Sequence, residues 1–131
     1  MSARLAMEVD LPEVVRDVRA AFERYERALI ENDIATLSEA FWDSPLAVRY
    51  GTTESLYGSA AVKAFRLARP RPFLKRELTN TQITAFGREF AIVNTEFTVA
   101  ESGKRGRQSQ TWAIDALGEW KIVAAHVSSI S

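Results

Sequence analysis

The second half of this chain narrows the choice of fold more than any other feature. Beyond Phe73, three long stretches, roughly 74–86, 89–101 and 106–116, are rich in Thr, Ile, Val and Phe, and a fourth, 119–128, follows. Short polar turns with glycine, "FGRE", "ESGKRG" and "LGEW", separate them. β-branched and aromatic residues suit a pleated backbone and glycine lets it reverse, so the pattern predicts a meander of long antiparallel strands.

The first half carries a different period. Leu11, Val14, Val15, Val18, Phe22, Tyr25 and Leu29 recur at three- and four-residue steps, one stripe on a helix running to about Glu31. Asp10-Leu11-Pro12 reads as its start, with the acid as cap and proline in the first turn. Arg24, Glu26 and Arg27 flank the stripe. Asn32-Asp33 ends this helix and caps a second, "IATLSEAFW", with Leu37, Phe41 and Trp42 inward. Pro45 blocks continuation. A short strand at 47–51 follows, and Ser59 is placed to cap a third helix, "AAVKAFRLAR", which stops at Pro70 and Pro72.

Helices first and a long-stranded sheet last make an α+β fold. The economical packing curls the sheet around the first helix as a cone with an open end, with Tyr25 pointing into the pocket. At 131 residues the chain suits one domain, 1–131, with a variable segment at 1–10.

Composition removes several functions. Lys and Arg total 17, as do Asp and Glu, so there is no surplus of cations for nucleic acid or a polybasic membrane anchor. Cysteine is absent, which excludes disulfides and thiolate metal sites. No signal-like or membrane-spanning apolar run occurs, and a cytoplasmic location is expected. His126 is the only histidine, without HExxH spacing or a GxSxG elbow, and no phosphate loop exists. Neither metal nor organic cofactor is expected.

What remains are polar residues set in segments that otherwise look like core. In "AVRYGTTESLYG", alternation places Arg49 with Ala47 and Gly51 on one strand face, opposite Val48 and Tyr50. A buried guanidinium needs a partner, and two readings stand: a salt bridge to Glu54 or another acid, or a bidentate site for a ligand carboxylate. Tyr25 is either a core tyrosine or a proton donor in the pocket. Gln108, Gln110 and Trp112 share one strand face, and Asn94 shares another with Glu96; both sets can read a ligand or lie on a solvated face. His126 lies in "KIVAAHVSS", as a structural residue or a base. Arg66 and Arg69 end the third helix, where they complement its dipole or add positive potential at the cone mouth.

The ordered series "FERYERALIENDIATLSEAFWDSP", "VRYGTTESLYG", "AFRLARPRP", "TAFGREFAIVNTEF", "GRQSQTW" and "WKIVAAHVS" resembles the AtzH/HpxZ-like family of the nuclear-transport-factor-2-like cone-fold superfamily. The resemblance implies a curved antiparallel sheet wrapped around helices, often paired as a homodimer through the sheet. It implies company with amidases in the breakdown of cyanuric acid or purines, the latter by way of oxalurate. The activity known in the family is decarboxylation of 1,3-dicarboxyurea to allophanate, a cofactor-free lyase reaction. Its essential tyrosine and arginine match Tyr25 and Arg49. The substrate, a small carboxylated urea-like anion, would then be bound with help from Arg66, Gln108, Gln110, Asn94, His126 and Trp42. Two other functions fit the same residues: a different pocket chemistry on this fold, and a non-catalytic accessory subunit of an amidase.

Overall fold

The structure, a computed structural model, describes residues 3–69 and 75–131. Helices α1 (Pro12–Glu31), α2 (Ile34–Ala40) and α3 (Ser59–Ala68) pack against a sheet of β1 (Val48–Tyr50), β2 (Ser55–Tyr57), β3 (Arg76–Phe86), β4 (Phe90–Val99), β5 (Arg105–Ile114) and β6 (Trp120–Ile130). The α+β reading therefore holds. Strand order is β2-β1-β6-β5-β4-β3, and β3 to β6 form the expected antiparallel meander. The short β1 joins its far edge parallel to β6, which puts Arg49 beside Ala125 and Tyr50 beside His126.

That register sorts the two faces. Strand side chains alternate, so Ala91, Val93, Thr95, Gln108, Gln110, Trp112 and Ala125 are buried on the concave side. Ile92, Asn94, Ser109 and His126 lie on the convex side and are exposed. The concave face closes over α1, whose Val14, Val18, Phe22, Tyr25 and Ala28 complete the core with Leu37, Phe41 and Val62.

Several local expectations change. Asp10 does not cap α1: its backbone is left-handed (φ 59°) and its carboxylate accepts from the Ala85 amide at 2.9 Å, tying the N-terminal segment to the end of β3. Ser59 is the first residue of α3 rather than its cap. Gly58 takes that position at φ 90°, a conformation a side chain would strain. The second helix stops at Ala40, because Phe41 turns extended and Trp42 donates its amide to the Ile122 carbonyl at 3.0 Å. Asn32 and Asp33 behave as expected, a left-handed end to α1 and a side-chain cap on Thr36. Pro70 and Pro72 lie outside the described residues.

Candidate active site

At the open end of the cone lies a cavity of about 380 Å³. Its polar lining includes Tyr25 from α1, Arg49 and Glu54 around β1, Arg69 after α3, and Arg76 and Gln108 from the sheet. Leu29, Phe65, Phe97 and Val127 supply apolar wall. Two residues singled out by sequence, Tyr25 and Arg49, thus face one space although they come from opposite sides of the core.

Arg49 already holds one carboxylate, that of Glu54. Its Nη1 donates to Glu54 Oε2 at 2.8 Å, with both side chains largely buried. The four-residue loop between β1 and β2 brings the acid back over the strand, and Thr53 holds the other carboxylate oxygen through its hydroxyl at 2.8 Å. A Cβ on Gly51 would sit 1.7 Å from Glu54 Oε2, so this glycine leaves the room that the ion pair occupies. Burial pushes the Glu54 carboxyl up. Hydrogen bonds from Thr53 and Arg49, with Arg49's charge, outweigh it and leave the group below its ordinary value of 4.5. The Nε/Nη2 edge of Arg49, the half suited to a bidentate carboxylate, has no acceptor among the described residues. The guanidinium lies 5.5 Å from the Phe65 ring centroid, which restrains its plane.

Tyr25 is buried between aromatic neighbours, Phe41 at 6.3 Å and Trp112 at 6.5 Å between ring centroids. Its hydroxyl oxygen accepts from Arg66 Nη2 at 2.5 Å. Arg66 is not at the mouth of the cone, where a helix-ending arginine was expected, but fully buried behind Tyr25. It does not line the cavity. The cause is helical period: Arg66 follows Val62 by four residues and shares its inward face.

A second ion pair joins Arg76 of the cavity lining to α1. Glu26, read from sequence as flanking the helix stripe, is buried and accepts from Arg76 Nη2 at 2.6 Å and Nε at 3.1 Å. Gln108 bridges the two, donating to Glu26 at 3.1 Å and accepting from Arg76 at 2.8 Å. Arg76 also stacks 4.4 Å from the Phe97 ring centroid. Sequence reasoning missed both partners, although Glu26 stands four residues after Phe22 on the apolar face.

The remaining predicted ligand contacts separate from this cavity. Gln110 is buried but its carbonyl accepts from Trp112 Nε1 at 3.1 Å, an internal use of the amide. Asn94 is exposed on the convex face, in a groove with Glu96 and Arg107. His126 is exposed on the same face, its ring 5.7 Å from Tyr50. Trp42 lines a different hollow at the closed end, with Lys63 and Asp115. Tyr50, on the strand face opposite Arg49, packs on this outer surface and is 37% exposed. Alternation could pair residues on a face but not say which face turned inward.

The AtzH-like family model matches residues 7–131. The chain belongs to the AtzH-like family. It is 51% identical to a protein of unknown function from Pectobacterium atrosepticum, with a TM-score of 0.91 and coverage of 98% of this chain and 100% of that one. A cystatin-like fold protein from Burkholderia xenovorans is 48% identical, with a TM-score of 0.90 and coverage of 96% and 98%. A nuclear transport factor 2-like protein from Salmonella enterica shares the fold at 18% identity, with a TM-score of 0.76 and coverage of 91% and 92%. No curated protein matches the chain. No helix is long and apolar enough to cross a membrane among the described residues.

Proposed function

We propose that this AtzH-like protein is a cofactor-independent carboxy-lyase acting on a carboxylated urea dianion, with 1,3-dicarboxyurea going to allophanate. The observation that supports this reading is the shared cavity of Tyr25 and Arg49, with the hydroxyl of one and the Nε/Nη2 edge of the other lacking acceptors among the described residues. Arg49, anchored by Glu54, clamps a carboxylate through two parallel hydrogen bonds. The bond between nitrogen and the other carboxylate then breaks, carbon dioxide leaves, and the electron pair stays on the ureido nitrogen. The adjacent carbonyl delocalises that pair until the Tyr25 hydroxyl protonates the nitrogen. Water returns a proton to the tyrosinate. The apolar wall of Leu29, Phe65, Phe97 and Val127 favours a step that turns a carboxylate into neutral carbon dioxide.

The test is a substrate panel on the isolated protein. 1,3-Dicarboxyurea, generated in place by an amidase, should lose carbon dioxide faster than in buffer, while a monocarboxylated urea should not. Equal rates with and without the protein would refute the reading.

A further inference from the structure

Four arginines, Arg49, Arg66, Arg69 and Arg76, surround Tyr25 and the cavity, and two of them form described ion pairs. Arg49 holds Glu54 and Arg76 holds Glu26. Arg66 has no carboxylate partner among the described residues: its Nη2 donates to the Tyr25 hydroxyl, and its Nε and Nη1 are buried without a hydrogen-bond partner there. Its guanidinium carbon lies 5.6 Å from the Tyr25 ring centroid, so even the cation–π contact is with the same residue. Burying a cation in this state is costly, and natural cores rarely tolerate it without a use.

We propose that Arg66 is the positioning residue of this site, resting on the reading of Tyr25 as proton donor. Because the phenol oxygen accepts from Arg66, it has no other partner among the described residues and its own proton is directed to the cavity. When that proton passes to the leaving nitrogen, the negative charge left on oxygen meets a guanidinium already in contact. The orphaned N–H groups mark a charge that the resting protein leaves uncompensated. A transient tyrosinate compensates it, and until then it adds positive potential behind the cavity for a dianion. Arg66 touches no substrate; it acts through Tyr25.

The experiment compares wild type with Arg66→Met, Arg66→Lys, Tyr25→Phe and the Arg66→Met/Tyr25→Phe double variant. Decarboxylation, thermal melting and malonate binding at low ionic strength are measured for each. Arg66→Met should lower kcat by about 10²-fold, with melting no lower than about 2 °C below wild type because an unpaired buried charge is gone. The double variant should fall within about threefold of Tyr25→Phe, the mark of two groups acting as one. Arg66→Lys should recover part of kcat. Additive losses, or loss of kcat only in step with a lower melting temperature, would overturn the proposal.

Malonate binding separates this from the substrate assignment. If wild type leaves 1,3-dicarboxyurea untouched yet Arg66→Met weakens malonate binding by about tenfold or more, the substrate reading fails and the role of Arg66 stands. Equal malonate affinity in the two proteins, or no binding by wild type, overturns the role of Arg66.

Discussion

The fully buried guanidinium of Arg66 donates to the hydroxyl oxygen of Tyr25 at 2.5 Å, across a sequence separation of 41 residues. The hydroxyl therefore serves two purposes: acceptor for a buried cation and proton source for the cavity. Removing it affects both. Tyr25→Phe is expected to lower turnover by about 10²- to 10⁴-fold, the range for a lost general acid. It should also lower stability by about 1–3 kcal/mol, since a third Arg66 nitrogen loses its acceptor. Chemical denaturation and steady-state kinetics on one preparation check both.

Arg49→Lys keeps a positive charge near Glu54 but removes the planar fork. If the Nε/Nη2 edge holds a substrate carboxylate, KM should rise by about tenfold or more while melting changes little. Unchanged kinetics would leave Arg49 as only the structural partner of Glu54.

Glu54 sets an acid limit on the site. Its folded-state pKa lies below the ordinary 4.5, so the pair stabilises the fold fully above that pH and loses the contribution as pH falls below it. The stability difference between wild type and Glu54→Gln should stay constant from neutral pH down to about 4.5 and then shrink. Urea denaturation across that range measures it. At neutral pH, Glu54→Gln should tighten malonate binding a few-fold (about threefold), because one competing negative charge is gone.

Arg76 lines the cavity and pairs with Glu26 behind it, and the Glu26 and Arg76 side chains are only 8% and 5% exposed. Glu26→Gln leaves the Arg76 cation buried without a counter-ion and should cost about 3–5 kcal/mol. Adding Arg76→Met should restore much of that loss, since an apolar pair avoids the stranded charge. Recovery in the double variant, read by melting temperature, separates a stranded charge from a packing defect.

Much of this fold was legible in the sequence because it depends on period. The stripe from Val14 to Leu29 specified α1, and the Thr- and Val-rich stretches specified the meander to within a few residues. Tyr25 and Arg49 stood out because each interrupts an apolar pattern. The parallel seat of β1 on β6 was not legible, since three residues carry no signal for their partner. Nor was the burial of Glu26, Arg66 and Arg76. Charge made them look solvated, although helical spacing from Phe22 and Val62 put Glu26 and Arg66 inward. Asn94 and His126 show the converse: strands of mixed polarity left the inward face undetermined, and the register with Tyr50 and Ser109 turned both outward. Glu54 as partner of Arg49 was foreseeable from the tight loop between them, and it holds the arginine rather than standing behind it.

The most direct test is a measurement of carbon dioxide release from 1,3-dicarboxyurea by the purified protein beside its Tyr25→Phe variant. The expected result is release above the buffer rate for wild type and about 10²-fold less for the variant. Equal release by the two proteins, or release by neither above buffer, would contradict the assignment of Tyr25 and its cavity as a decarboxylation site.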